Sequence, residues 1–364
     1  MSKTSTAAVV RVPGERFLLE TVELDDPRAG EVVVRIEAAG VCHTDVNMQH
    51  VVPMPAVFGH EGAGVVEEIG AGVDYVKPGD RVIISWPACG ECPSCISGRR
   101  DICDNQFPLL FSGRRLDGSQ TMKLGGDWIS GAFFQQSSFA THAVAPANSL
   151  VRVEDDLPPE LLAALPCGVM TGAGSILNAL RVGVQDDLVV FGAGGVGLSA
   201  VMAARLAGAD PIIAVDINSD RLALALELGA THSLNATDGD VVSRVKEIIP
   251  RGTRFAYDTS GVESSWRAAA QCLGMGGTFG NVAVPIVDTP DFQPIEMLSK
   301  GARLQFILAG SSTPRVILPR LINWYKQGRF PFDRLVKRFD FADINTAFEE
   351  SAAGRAIKPV LLMP

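Results

Sequence analysis

Four cysteines, Cys89, Cys92, Cys95 and Cys103, stand in a C-x2-C-x2-C-x7-C run. Tetrahedral zinc needs four thiolates that short turns can wrap around one ion, and two-residue gaps supply such turns. The run reads as a closed zinc site that pins a loop. Upstream, Gly40-Val41-Cys42-His43-Thr44-Asp45 and Gly59-His60-Glu61 contribute a thiol and an imidazole that suit the same metal. Two ligands do not make a site, and Glu61 and Cys167, in Leu165-Pro166-Cys167-Gly168, are the candidates for the third. A site with three protein ligands keeps a coordination position open for chemistry. The pattern predicts a zinc enzyme with two ions per chain, one structural and one catalytic.

A second motif concerns a cofactor. Gly192-Ala193-Gly194-Gly195-Val196-Gly197 is a G-x-G-x-x-G between a predicted strand, Leu188–Phe191, and a predicted helix, Val196–Leu206. Such glycines let the backbone approach a pyrophosphate, which then rests on the helix N-terminus. Asp216 closes the next predicted strand, where it would accept hydrogen bonds from the adenosine ribose and repel a 2′-phosphate. The expectation is NAD rather than NADP.

These groups must be positioned by two kinds of architecture. The first third alternates short β-rich runs, Val32–Ala38, Gly62–Ile69 and Asp80–Ser85, with turns such as Lys77-Pro78-Gly79. That texture predicts a β-barrel-like domain, in which Gly62-Ala63-Gly64 and Gly70-Ala71-Gly72 mark bends and turns rather than phosphate loops. From about Leu161 strands and helices alternate, the signature of βαβ units and a parallel sheet. Further predicted elements are the strands Ile212–Val215, Phe255–Tyr257 and Thr278–Val284 and the helix Arg221–Leu228. Leu304–Leu308 reads as an edge strand and dimer seam, and Val360–Leu362 as a terminal strand.

Composition narrows the function classes. The chain has 364 residues, 47% hydrophobic and 20% charged, enough for two domains with separate cores. A net charge of −9 and a pI near 5.1 argue against nucleic acid or an anionic membrane as partner. The Met1–Val12 stretch lacks the pattern of a signal peptide, and 188–215 is too broken by glycine and charge to span a membrane. A cytoplasmic, reducing location is therefore expected, where clustered cysteines bind metal. Of the 7 cysteines, only Cys272 lacks a proposed zinc role and reads as a small core residue.

From about Ala8 to its C-terminus the chain resembles the zinc-dependent medium-chain alcohol dehydrogenases. Gly59-His60-Glu61, the four-cysteine run, the glycine loop and Val215-Asp216-Ile217-Asn218 occur in that family's order. The resemblance implies an α/β fold: a GroES-like catalytic domain over 1–168, a doubly wound Rossmann sheet over 169–307, and a return to the catalytic domain over 308–364. It implies Cys42, His60 and Cys167 as catalytic zinc ligands, Glu61 as an exchange ligand, and Asp45 as the carboxylate that orients His60. Thr44 takes the role of the hydroxyl that touches the substrate oxygen and starts the proton relay. His43 and Lys358 match contacts to the cofactor phosphates, Arg221 flanks the adenosine ribose, and Ile217 and Val282 join the cofactor site. The implied reaction is zinc-assisted alkoxide formation followed by hydride transfer to NAD, reversibly. Dimers or tetramers are implied, with a small alcohol or aldehyde as the partner. The family's terminal histidine base is replaced by Asn47, so the proton leaves through a ribose hydroxyl and water or through His50.

Within the family, Phe107–Gly113, Asp117–Ser119 and Phe133–His142 resemble the aryl-alcohol (benzyl alcohol) dehydrogenases, and geraniol-type enzymes are similar here. Aromatics of these segments, with Trp86, would line an apolar pocket for a bulky primary alcohol, or Phe133, Phe134 and Phe139 pack the barrel. His142 reads as structural. Two alternatives stand beside this reading. One is an S-hydroxymethylglutathione (formaldehyde) dehydrogenase, for which Arg114 or Arg115 would hold a carboxylate. The other is a non-catalytic NAD- and zinc-binding protein.

Overall fold

The computed structural model describes residues 3–283 and 294–364, so Val284, the end of one predicted strand, lies outside the described residues. The chain divides into two compact units: Met1–Cys167 with Thr313–Arg320 and Asp333–Pro364, and Gly168–Ser312 with Leu321–Phe332. In place of a single return at residue 308, residues 308–312 and 321–332 group with the second unit. The cause is local packing. A Cβ on Gly174 would meet Gly310 O at 2.6 Å, so only glycine permits that contact, and Asn178 Nδ2 donates to Ser312 Oγ at 3.0 Å. Leu321, Ile322, Phe330 and Phe332 are buried.

The first unit is built on two sheets. One runs Ala56–Val57, Lys3–Val10, Leu18–Leu24, Met122–Leu124, Asp127–Ile129; the other runs Leu150–Arg152, Arg81–Ile84, Gly62–Ile69, Glu31–Gly40, Lys358–Leu362, Val336–Asp340, with His142–Pro146 also on Glu31–Gly40. Their inward valines, isoleucines and phenylalanines form one core that includes Ile36, Phe58, Val66 and Phe139. Two registers matter for function. The pairing Ala39↔Gly62 carries the ends of these strands together, so Cys42 arrives beside His60. The pairings Val360↔Gly40 and Leu361↔Ala39 bring the C-terminal strand, and with it Lys358, to the same corner. Gly64 allows the strands to close up, since a Cβ there would sit 2.0 Å from Arg35 O.

Cys167 reaches this corner on a helix. Residues Pro159–Leu180 form one apolar helical stretch, the only described helix long and apolar enough to cross a membrane, but 78% of its apolar window is buried and it serves as a core helix. Pro166 lies in its interior, where it cannot donate a hydrogen bond and its ring crowds the preceding turn. Leu165–Val169 accordingly takes a wider π-helical turn, the kind of insertion that re-aims a side chain.

The second unit holds a parallel six-stranded sheet in the order His232–Asn235, Ile212–Asp216, Leu188–Phe191, Thr253–Asp258, Leu273–Asn281, Arg303–Phe306. Strand order reverses at Leu188–Phe191, so the loop leaving its C-terminal end lies at the topological switch point where α/β sheets bind ligands. Leu188–Phe191 is buried along its whole length, as a central parallel strand must be. Arg303–Phe306 is the edge strand that the sequence predicts at 304–308.

Candidate active site

Cys42, His60, Glu61 and Cys167 converge: one ligand atom from each lies within 4.8 Å of the others. Asp45, at the start of the short helix Thr44–Asn47, organises the group from behind. Its Oδ1 lies 2.9 Å from His60 Nδ1 and accepts from Gly59 N at 3.1 Å, while Oδ2 accepts from Cys42 N at 3.1 Å. With Nδ1 turned to that carboxylate, Nε2 faces the cluster, and this buried nitrogen has no hydrogen-bond partner among the described residues. Glu61 Oε1 is likewise buried without a hydrogen bond and lies 3.9 Å from His60 Nε2.

The groups of this corner shift one another's ionisation. The hydrogen bond from Cys167 holds Cys42 well below the ordinary thiol range against the opposing effect of burial, with His60 helping. The same hydrogen bond with Cys42, together with burial, pushes Cys167 well up. Burial disfavours a charged His60, but Asp45 and Cys42 raise its pKa well above the usual value. Burial pushes Glu61 up to about 7 while Lys358 pulls the other way. Two thiols, an imidazole whose Nε2 faces them and a buried carboxylate in one corner are a donor set that fits a zinc ion.

Lys358 belongs to this corner. Its buried ammonium pairs with Glu61 Oε2 and donates to Val41 O at 3.2 Å, so it is engaged here rather than free for a cofactor phosphate. Burial lowers its pKa, but Glu61, Cys42 and Cys167 more than offset this and raise it. Thr44 is half-buried with Oγ1 3.5 Å from Cys42 Sγ, whereas His43, Asn47 and His50 are exposed.

An aromatic wall stands over His60. Phe134 stacks on the imidazole with centroids 4.4 Å apart and planes at 26°, and Trp86 and Phe111 meet Phe134 edge-on at 5.4 and 5.7 Å. Phe133 packs on Phe58, and Phe139 packs on Phe17 and Phe348 in the barrel core. Phe133, Phe134 and Phe139 all belong to the barrel core, and within it Phe134 lies against the His60 ring while Phe139 packs away from it. His142 Nε2 lies 3.4 Å from Glu67 Oε2, away from the cluster. Arg115 is locked by Glu31 at 2.7 Å and Asp25 at 2.8 Å, and Arg114 is exposed.

The four-cysteine run forms a second cluster. Zn–S bonds of about 2.3 Å place tetrahedral sulfurs about 3.8 Å apart. The observed separations are 3.9 Å for Cys89–Cys95, 3.9 Å for Cys92–Cys103 and 3.5 Å for Cys89–Cys103. The sulfurs also accept backbone N–H bonds, from Cys92 N and Cys95 N at 3.4 Å among others, as the short turns require. These spacings fit zinc directly. Cys272 is buried apart from both clusters, and burial pushes its thiol up to about 12.

In the second unit the glycine loop joins Leu188–Phe191 to the helix Gly195–Ala207. Gly192 has φ +93°, and a Cβ on Gly197 would lie 1.8 Å from Gly192 O. Nothing occupies the space beside Gly194 within 4 Å, which leaves a cradle open to a phosphate. Val196 lies in the helix's first turn. Asp216 Oδ2 accepts from Ala193 N at 2.6 Å and Oδ1 from Asn218 N at 2.8 Å, so the acidic residue also braces the loop. Ile217 is exposed, Arg221 is half-buried, and Val282 follows the strand Leu273–Asn281. The donor geometry and open cradle fit a dinucleotide.

Comparison with known proteins agrees with this geometry. The model of the alcohol dehydrogenase GroES-like domain matches residues 28–155, and that of the zinc-binding dehydrogenase matches residues 195–326. Geraniol dehydrogenase from Castellaniella defragrans is 43% identical over 364 residues, covering 99% of this chain and 98% of its own. Among solved structures, an alcohol dehydrogenase zinc-binding domain protein from Burkholderia ambifaria superposes with a TM-score of 0.97 at 43% identity, each chain covered to 100%. Benzyl alcohol dehydrogenase from Acinetobacter calcoaceticus gives 0.95 at 39%, again with full coverage.

Proposed function

This chain belongs to the zinc-dependent medium-chain alcohol dehydrogenase family, and from that premise we propose that it oxidises bulky primary alcohols of the aryl, benzylic or allylic class to aldehydes with NAD. The observation that carries the substrate class is the aromatic wall of Phe134, Trp86 and Phe111 beside His60, where a flat unsaturated group has ring faces and edges to pack against. The relatives named for geraniol and benzyl alcohol support the same class.

In this reading Cys42, His60 and Cys167 hold the catalytic zinc, Glu61 is kept in reserve by Lys358, and Cys89, Cys92, Cys95 and Cys103 hold a second, structural zinc. When bound, the catalytic ion supplies Lewis acidity that makes an alcohol hydroxyl acidic near neutral pH. Asp45 fixes the face of His60 that meets the ion. Thr44 accepts the alcohol proton at Oγ1 and passes its own outward. Asn47 offers no base, so the proton continues through a ribose hydroxyl and water or through His50. The glycine loop and Asp216 would seat NAD, which would supply the hydride acceptor, so that alcohol and NAD would give aldehyde, NADH and one proton. The outer edge of Arg303–Phe306, with Phe306 65% exposed, supports a homodimer or homotetramer. Two clusters of free thiols need a reducing compartment, which favours the cytoplasm.

The test is initial rates of the zinc-replete protein with ethanol, benzyl alcohol, cinnamyl alcohol, geraniol and S-hydroxymethylglutathione, each with NAD and NADP. High kcat/KM for the bulky unsaturated alcohols with NAD is expected. Turnover confined to the glutathione adduct would overturn the reading, and the engagement of Arg115 by Glu31 and Asp25 argues against that outcome.

A further inference from the structure

We propose that Gln136 is a positioning residue whose side-chain amide stands in for a missing strand partner and holds the backbone that carries His60 and Glu61. The inference rests on the reading of Cys42, His60 and Cys167 as a zinc site and concerns a residue that reaches none of its ligand atoms.

The segment before His60 is paired in the ordinary way. Phe139 N donates to Phe58 O and Ser138 N to Gly59 O, both at 2.9 Å. Beyond Gly59 the partner chain turns away, through left-handed conformations at Phe134, Gln135 and Ser137 with φ of 50°, 55° and 48°. Those residues carry side chains, for which such backbone is strained. The main-chain ladder would therefore stop at the ligand-bearing residues, leaving buried polar groups unpaired.

Gln136 fills that gap. Its Nε2 donates to His60 O at 3.0 Å, and its Oε1 accepts from Gly62 N at 3.0 Å. One amide thus presents an N–H and a C=O to the two backbone groups on either side of Glu61, as a peptide of a neighbouring strand would. Gln136 is 0% exposed, so water does not compete. From the opposite side Gly40 N donates to Glu61 O at 3.0 Å, and residues 60–62 are gripped from both flanks. The bend that delivers Gln136 is itself held by side chains. Gln135 Nε2 donates to Arg114 O at 2.7 Å and to Leu109 O at 3.2 Å, and Ser137 Oγ donates to Val57 O at 2.6 Å. The same bend sets Phe134 on the His60 ring. Strain that persists next to a site, with this many bonds maintaining it, is the mark of a positioning device.

The experiment uses the full zinc-replete protein and two variants. Gln136→Met keeps length without donor or acceptor, and Gln136→Glu, whose carboxyl in this buried place takes up a proton, keeps an acceptor for Gly62 N and one O–H donor for His60 O and serves as the conservative rescue. Zinc retention is followed against increasing chelator, with the four-cysteine site as internal reference, and cobalt(II) is exchanged into the three-ligand site for its absorption bands. Loss of an outer partner of this kind weakens metal binding about 10–100-fold. The expected result is that Gln136→Met releases one metal per chain at roughly that much lower chelator concentration, shifts the cobalt bands and lowers kcat more than it changes KM. Gln136→Glu should fall between it and the parent, and it carries the test if Gln136→Met does not fold. Variants that keep both metals and the parent cobalt spectrum, with only a lower melting temperature, would reduce Gln136 to a packing residue. A parent protein that binds zinc only in the four-cysteine cluster would instead overturn the site reading, and this inference with it.

Discussion

Replacing Asp45 by asparagine tests whether the candidate zinc site depends on its supporting carboxylate. Asp45 is fully buried and receives three contacts, from His60 Nδ1 and Gly59 N on one oxygen and from Cys42 N on the other. Asparagine has the same shape but one acceptor oxygen. Turned to keep His60 and Gly59, it points its NH2 at Cys42 N–H, and that buried donor is left unpaired at a cost of about 1–3 kcal/mol. The retained bonds lose their charge assistance, which roughly halves them and adds about 1 kcal/mol. The expected loss of stability is therefore on the order of 2–4 kcal/mol.

The consequence at the metal should be separable from that loss. An outer carboxylate is worth about 10–100-fold in affinity, or roughly 1.4–2.8 kcal/mol. The four-cysteine cluster packs with Ala88 and Leu109 as a separate small core, so its zinc should be untouched. Metal content per chain after graded chelation, with urea unfolding of the zinc-replete protein, measures both quantities. An Asp45→Asn protein that is within about 0.5 kcal/mol of the parent and retains as much zinc as the parent at the same chelator concentration would refute the reasoning.

Three further outcomes are expected. Phe134→Ala removes the ring stacked on His60, and should lower kcat/KM for benzyl alcohol about three- to tenfold more than for ethanol, the worth of one aromatic pair; an equal loss for both alcohols would mean the ring does not contact substrate. In the glycine loop, Gly197→Ala forces a Cβ to 1.8 Å from Gly192 O and should lower both melting temperature and NAD affinity, whereas Gly194→Ala meets no atom within 4 Å and should lower NAD affinity alone; calorimetry and NAD titration distinguish the two. Cys272, its thiol pushed up by burial to about 12, should resist iodoacetamide at pH 8 in the zinc-replete protein, where only about one molecule in ten thousand would carry its thiolate; peptide mapping that finds rapid labelling would show that the core around it opens.

What could be read from the chain and what could not follows from how far apart the cooperating residues lie. The cysteine run and the glycine loop announce themselves because their chemistry depends on neighbours: Cys92 caps the helix Pro93–Ile96 by accepting from Cys95 N, and Gly197 must clear Gly192. The meeting of Cys42 with His60 was half legible, since both flank β-rich runs, but only the register Ala39↔Gly62 makes them adjacent. Lys358 stood out only as the cofactor contact that the family resemblance implies, and no local signal placed it beside Glu61. Its place beside Glu61 is a consequence of a C-terminal strand adding to Glu31–Gly40, a pairing across most of the chain.

Gln136 is the harder case, and it shows why the remainder was hidden. Left-handed backbone is ordinarily inferred from glycine, yet Phe134, Gln135 and Ser137 adopt it without one. With the alternation of a strand lost, nothing in Phe133–Phe139 indicates which ring faces the site and which the core. The bend is intelligible only from the bonds that sustain it, and these end on Val57, His60, Gly62, Leu109 and Arg114. A local rule is broken here because distant residues over-determine the segment. By the same reasoning, the candidate ligands of this site and Asp45 stand in short motifs, while further placement rests on residues such as Gln136 that no motif contains.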